Sequence, residues 1–183
     1  INTVPNNINM LLSDNVKDRI NFNSLNTIIV GGARFSYGLY KKLQFFKEIQ
    51  TYNFYGPTEA TVYATIKKID HNEKTDMFNH NISIGKPITN VKAKIINIQK
   101  NEGELYLGGV QIMQGYTNKL ETDSVLKEMD GVIYYKTGDI AVADDANEYY
   151  IIGRLDDTIK RKGYRINLQD LDLSLHKVKA IIE

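Results

Sequence analysis

The run Tyr55-Gly56-Pro57-Thr58-Glu59 sets a flat aromatic face, a bare backbone, a stiff turn, a hydroxyl and a carboxylate side by side. Gly56 lets the main chain approach a ligand closely, and Pro57 fixes the turn. Thr58 can donate to an anion and Tyr55 can lie against a base. Glu59 can hold a hard cation such as Mg2+, which takes few protein carboxylates and completes its shell with phosphate oxygens. The same residues also fit a plain loop with a helix cap at Thr58, and the spacing favours neither reading.

Three other segments carry chemistry. In Tyr135-Lys136-Thr137-Gly138-Asp139 a carboxylate follows a turn at a strand end, where it can accept from a pair of sugar hydroxyls or simply close the turn. From Gly153-Arg154-Leu155-Asp156-Asp157 to Lys160-Arg161-Lys162-Gly163-Tyr164-Arg165, arginines and glycines cluster as a phosphate-facing hinge would require, or as a solvated basic turn. Gly103-Glu104-Leu105-Tyr106-Leu107-Gly108-Gly109 is glycine-rich but lacks the Gly-Lys-Ser/Thr ending of a nucleoside-triphosphate loop, so it reads as tight turns between strands.

The elements that must position these groups follow from apolar spacing. Residues 6 to 23 have helical spacing interrupted near Ser13-Asp14-Asn15, with Asp14 as a second cap. Leu25 to Val30 is a buried strand stopped by Gly31-Gly32. Ser36 caps a helix predicted over Tyr37 to Ile49, and Thr51 to Tyr55 is the next strand. Strand, glycine turn, helix, strand is a βαβ unit, which implies a parallel sheet. Ala60 to Ile69 fits helix or strand, and His71 to Asn81 is a polar surface loop. After Pro87 the texture becomes β-rich: Val91 to Ile98, Glu104 to Leu107, Ile133 to Lys136, Ile140 to Ala143 and Tyr149 to Ile152 read as strands, with a short helix over Asp123 to Met129. Leu168 to Ile182 is an amphipathic helix.

Composition narrows the function classes. In 183 residues, 23 Lys and Arg nearly balance 22 Asp and Glu, which argues against a surface built for nucleic acid or anionic membrane. No stretch approaches the ~20 apolar residues of a membrane span. There is no cysteine, so thiol catalysis and cysteine-ligated metals are excluded. His71, His80 and His176 are too scattered to ligate a metal together. The cytoplasm is the expected compartment.

Taken in order, the Gly-Gly-Ala after the first strand, Tyr-Gly-Pro-Thr-Glu, Gly-Glu-Leu-Tyr-Leu-Gly-Gly, Tyr-Lys-Thr-Gly-Asp, and Gly-Arg-Leu-Asp-Asp with Lys-Gly-Tyr-Arg resemble the acyl-adenylate-forming (AMP-binding) superfamily. The wording of Tyr-Gly-Pro-Thr-Glu-Ala-Thr is most similar to nonribosomal peptide synthetase adenylation domains and D-alanine–carrier-protein ligases. The resemblance implies ATP/AMP and Mg2+ as cofactors. A carboxylic acid, more specifically an amino acid, would be activated as its adenylate with release of pyrophosphate and passed to a carrier-protein phosphopantetheine. The alternatives are an acyl-CoA synthetase using coenzyme A, or a non-catalytic nucleotide-binding module.

By the same resemblance Gly32 and Ala33 lie along the adenine, Asn53 bonds its amino edge and Tyr55 stacks on it. Thr58 contacts phosphates and Glu59 binds Mg2+. Asp139 holds the ribose hydroxyls, Arg154 lies near ribose and phosphate, Asp156 is the hinge, and Gly163 and Arg165 serve the thiol step. Gly31, Phe54 and Val62 line the acyl pocket. The expected fold is a partial α/β adenylate-forming fold: residues 1–90 a βαβ-type nucleotide-binding portion, 91–155 a β-rich subdomain, 156–183 the hinge and the start of a C-terminal domain. The superfamily's phosphate loop ending in Pro-Lys-Gly and its C-terminal lysine are not among the 183 residues, so the expectation is a fragment scarcely active by itself. Ile151 replaces a usual aromatic, and Asn167, Asp170 and Asp172 stand where carboxylates follow the last motif.

Overall fold

A computed structural model describes residues 1–13, 21–99, 102–155, 158–161 and 164–167. The chain opens with β1 (Asn2–Thr3) and α1 (Pro5–Leu11), with Pro5 at the first helical position, where no donor is lost. β2 (Thr27–Val30) follows, then α2 (Tyr37–Leu43), whose cap Ser36 accepts from the Leu39 N–H at 3.2 Å. β3 (Gln50–Tyr55) and β4 (Thr65–Ile69) complete this half with a short β7 (Lys86–Pro87). The sheet order is β1-β2-β3-β4-β7. β1, β2 and β3 are parallel, and β4 and β7 run antiparallel to their neighbours. The βαβ expectation therefore holds for β2-α2-β3, inside a mixed α/β sheet.

α1 and α2 cover one face of this sheet. Ile8, Leu39 and Leu43 meet Ile28, Val30 and Ile49 there, all buried. Each such aliphatic side chain contributes about 1.5–3 kcal/mol by leaving water. α2 is shorter than predicted. It ends at Leu43, and the chain continues through turns in which the Phe46 N–H bonds Leu43 O and the Ile49 N–H bonds Phe46 O. These turns keep a near-helical spacing, so Phe46 and Ile49 still reach the core although the helix has stopped.

The expected polar loop at 71–81 is structured. Asn72 caps α3 (Glu73–Asp76) by accepting from the Lys74 N–H, and β5 (Met77–Phe78) pairs with β6 (Asn81–Ile82). Asp76 is fully buried, because Tyr40 and Lys67 both reach its carboxylate.

A second sheet holds β8 (Val91–Gln99), β9 (Glu102–Gly109), β10 (Leu126–Met129), β11 (Val132–Ala143) and β12 (Tyr149–Arg154). All its pairings are antiparallel. The predicted helix at 123–129 lies earlier, as α4 (Lys119–Val125). Asn118 caps it, and from Leu126 the chain is claimed by pairing with β11. The two strands expected at 133–136 and 140–143 are one strand, β11, interrupted by an irregularity rather than a turn. Ala60, Ala64 and Ile84 from the first half pack with Val91, Leu105, Leu107 and Ala141 from the second, so one apolar cluster joins the sheets.

β13 (Thr158–Arg161) and β14 (Tyr164–Asn167) form a separate antiparallel pair. The helix expected at 168–182, the hinge Asp156 and Gly163 lie outside the described residues. Among the described residues no helix is long and apolar enough to cross a membrane.

Candidate functional site

β2 and β3 are parallel with Val30 opposite Asn53, so the residues after each strand emerge at one sheet edge. Open α/β sheets bind ligands at the carboxyl ends of their strands. Here those ends carry Gly31-Gly32-Ala33 and Phe54-Tyr55-Gly56. Gly31 is buried, and a Cβ there would lie 3.1 Å from both Phe54 O and the Tyr63 ring. Phe54 and Tyr63 rings sit 4.6 Å apart, so Gly31 and Phe54 are neighbours. Val62 is exposed instead. Gly32 takes φ +76° in the open, with Ala33 half-buried beside it. Asn53 is buried, and its Nδ2 donates to Ser83 O at 2.8 Å, which fixes the direction of the amide.

After Tyr55 the backbone makes a tight reversal. Gly56 is required there: a Cβ would lie 2.6 Å from Val62 O and 2.8 Å from Ala64 N, both main-chain atoms. Pro57 occupies the cap position of a 3-10 turn at Thr58–Ala60, so Thr58 is its first residue rather than its cap, and it is exposed. Thr61 and Val62 then adopt φ of +55° and +68°. For branched side chains that conformation costs on the order of 1–3 kcal/mol each and persists only when neighbours over-determine it. They do. Gln111 Nε2 donates to Ala60 O at 2.6 Å and to Tyr63 O at 2.9 Å, Thr61 Oγ1 donates to Gln111 O at 2.7 Å, and the Met113 N–H donates to Glu59 O at 2.8 Å. The Glu59 carboxylate accepts from the Tyr116 hydroxyl at 2.6 Å.

The second sheet delivers Asp139 to the same place. On β11, Lys136 pairs with Tyr106 and Ile140 with Glu104, so Thr137 to Asp139 bulge out of the ladder. Hydrogen bonds on several sides hold the bulge. Thr137 Oγ1 donates to Leu105 O at 2.7 Å and accepts from the Asp139 N–H at 3.0 Å. The Gly138 N–H donates to the buried Glu104 carboxylate at 3.0 Å, and the Leu155 N–H bonds Gly138 O. Gly138 has φ +70° with Arg154 packed against its open side. Thus Gly-Glu-Leu, read from sequence as structural, supplies through Glu104 the support for the aspartate loop. Its signal was a carboxylate set directly before the apolar run Leu105 to Leu107.

Asp139 is buried between two partners: the Tyr55 hydroxyl donates to its Oδ2, and Arg154 pairs with its Oδ1. Burial, and then the Asp139 charge, push the Tyr55 phenol well above its usual range, so it remains a donor. Tyr116, Thr137, Gly138, Arg154, Glu104 and Lys136 line a cavity of about 240 Å³. Glu59 borders it through Tyr116. Tyr55, Asp139 and Arg154 therefore meet directly, Glu59 reaches the cavity through Tyr116, and Asn53 is turned to Ser83. Arg165 lies on β14 opposite Lys160, in a pairing that involves none of them. Tyr63, Glu104, Gln111 and Tyr116 were not foreseen. Gln111 and Tyr116 lie in the stretch between β9 and α4, where sequence spacing marks only a loop.

An acceptor pair at Asp139, cationic Arg154 and aromatic Tyr55 fit a ribonucleotide. Among the described residues no three His, Cys, Asp or Glu gather. A lone carboxylate at Glu59 cannot cage a bare ion, but it fits Mg2+ that arrives with phosphate oxygens.

Residues 1–117 match the family described as AMP-binding enzyme. The dapdiamide synthesis protein DdaD of Enterobacter agglomerans is 30% identical over 99% of this chain, which spans 31% of that protein's length. Among solved structures, PA1221, an NRPS protein containing adenylation and PCP domains, superposes with a TM-score of 0.79 at 25% identity, over 97% of this chain and 37% of its own. The Vibrio cholerae adenylation domain AlmE, in complex with glycyl-adenosine-5'-phosphate, superposes with a TM-score of 0.76 at 24% identity, over 100% of this chain and 36% of its own.

Proposed function

Because the chain belongs to the AMP-binding enzyme family, we propose that it forms the nucleotide-holding part of a cytoplasmic ligase. That ligase activates a carboxylic acid, specifically an amino acid, with ATP and Mg2+, and transfers it to a carrier-protein phosphopantetheine. The observation that carries this reading is the meeting of Tyr55 and Arg154 on the buried Asp139 carboxylate, at the carboxyl ends of β2 and β3. Asp139 accepts the ribose hydroxyls, with Tyr55 and Arg154 holding the carboxylate in place. Asn53, whose donor end is fixed on Ser83 O, presents its acceptor to the adenine amino group. Gly31 and Phe54 border the acyl group, and Gly32 and Ala33 the base.

The reaction is attack by the substrate carboxylate on the α-phosphate, with pyrophosphate leaving. Both reactants are anionic, so alignment and charge compensation dominate the barrier. Mg2+ bound through Glu59 supplies that compensation when present. Thr58, exposed at the start of its turn, donates to phosphate oxygens, and Arg154 adds a fixed positive charge. Asp156 is the hinge for the thiol step, to which Arg165 contributes. A carrier protein is favoured over coenzyme A as acceptor by the likeness to PA1221, which carries a PCP domain beside its adenylation domain.

The test is ATP–pyrophosphate exchange by the protein carrying this chain at its natural length, run against amino, fatty and aryl acids. Amino-acid-dependent exchange lost in Asp139→Asn supports the reading. Exchange that Asp139→Asn leaves untouched refutes it, and loading of free coenzyme A in preference to a carrier protein refutes the choice of acceptor.

A further inference from the structure

We propose that the segment from Val110 to Tyr116 is a positioning strap for Glu59, with Gln111 and Tyr116 its working residues; this rests on the reading of Glu59 as the Mg2+ ligand. The strap arrives from the second sheet, directly after β9, and closes over a turn that belongs to the first. It grips that turn at Glu59 and at the residues after it. At Glu59, the Met113 N–H holds that residue's own carbonyl. Downstream, the single Gln111 amide spans Ala60 O and Tyr63 O, while the Gln111 carbonyl accepts from Thr61 Oγ1. Between them lie Thr61 and Val62, whose left-handed backbone places the reversal. At the end of the strap the Tyr116 hydroxyl takes Glu59 Oε1. The Tyr116 N–H is fixed in turn by Thr122 Oγ1 at 2.8 Å, so the tyrosine is anchored to α4.

The consequence is chemical. A carboxylate that accepts a hydroxyl on Oε1 presents Oε2 to a cation in one orientation, and loses less rotational freedom on binding. Groups that hydrogen-bond a metal ligand tune metal affinity without touching the metal. Gln111 lines no part of the cavity and acts through the turn, and Tyr116, which does line it, acts on the cation through Glu59, so both are positioning residues for the metal. The arrangement also links the sheets: a displacement of β9 relative to β3 would move the Glu59 carboxylate directly.

The experiment uses the natural-length protein as parent, Tyr116→Phe, Gln111→Ala and Glu59→Gln. Mn2+ is titrated by electron paramagnetic resonance in the presence of a non-hydrolysable ATP analogue, and Mg2+ activation of pyrophosphate exchange is measured in parallel. The expected result is Mn2+ binding weakened about 10-fold in Tyr116→Phe. The half-activating Mg2+ concentration should rise in proportion, kcat should recover at saturating Mg2+, and metal-free nucleotide affinity should change far less than Mn2+ affinity. Gln111→Ala should move the same quantities in the same direction. Tyr116→Phe removes one oxygen from a partly exposed side chain, so it decides the matter even where Gln111→Ala does not fold. Parental Mn2+ affinity in Tyr116→Phe alongside loss in Glu59→Gln overturns the strap alone. Parental Mn2+ affinity in Glu59→Gln overturns the assignment of Glu59 and the strap with it.

Discussion

Asp139 and Arg154 are register partners across β11 and β12, so their ion pair is built into a strand ladder rather than reached across loops. The bulge at Thr137 to Asp139 turns this pair toward Tyr55, and the first sheet meets the second at one carboxylate.

Arg154→Met tests that junction. It leaves the buried Asp139 with Tyr55 as its remaining named donor, and the cost of under-satisfying such a group is about 1–3 kcal/mol. Urea unfolding should show that loss, and AMP affinity should fall with it. Arg154→Lys keeps the charge but not the planar fork, and should lie between parent and Arg154→Met in both measurements.

Gly56→Ala tests the reversal after β3. The added methyl meets main-chain oxygen and nitrogen, which cannot rotate away as a flexible side chain could. The turn must shift, at a cost of about 1–3 kcal/mol. Thermal unfolding should show the loss. Nucleotide affinity should drop more than in Gly131→Ala, a surface change where the Cβ meets nothing within 4 Å and the cost is backbone strain at φ +70°.

The parts of this arrangement legible in the sequence are those carried by local pattern. Alternation and β-branching located β2, β3, β8 and β9, and the order of motifs pointed to Tyr55, Asp139 and Arg154. What stayed hidden depends on partners distant in the chain. Asp76 sits in a polar stretch and reads as surface, yet Tyr40 and Lys67 draw it inside. Thr137-Gly138-Asp139 reads as a turn between strands, because a bulge has the same glycine and the same polarity as a turn. Only pairing with β9 on both sides reveals β11 as continuous. Gln111 and Tyr116 carry no periodic signal at all, since their role is set by what they touch.

Buried tyrosines give a pH prediction. Tyr40, Tyr55 and Tyr150 donate to Asp76, Asp139 and Asp144, and burial, then those carboxylates, raise all three phenols above the usual value near 10. For Tyr150 burial again leads, followed by its bond to Asp144. Each folded pKa lies above its unfolded one, so each contributes stability that is complete below about pH 10 and is lost as pH rises through the folded value. Tyrosinate absorbance should therefore rise in two phases. Exposed phenols should ionise first, and the buried ones only together with loss of secondary structure. Tyr55→Phe should shrink the second phase. A single phase centred near 10 would contradict the buried donors.

The charges that join the sheets beneath the site meet at Lys67. This residue, on β4, lies 2.9 Å from Glu148 and 3.5 Å from Asp76 and is itself buried. Burial pulls its pKa down, and Glu148 and Asp76 together outweigh that, so the ammonium stays charged through the neutral range. Glu148 also accepts from Ser83 Oγ at 2.9 Å, and Ser83 O holds Asn53, so the network ends at the Asn53 amide. Lys67→Met leaves carboxylates at exposures of 0% and 17% without their cation. Breaking a buried pair from one side costs about 3–5 kcal/mol, whereas replacing all its charges together is often nearly neutral. Lys67→Met should therefore destabilise the fold more than the triple variant Lys67→Met, Asp76→Asn, Glu148→Gln. Because Asn53 is held through Ser83, the single variant should also lose part of the preference for AMP over purine riboside monophosphate, which lacks the 6-amino group. Equal stability of single and triple variants would mean that the three charges do not act as one network.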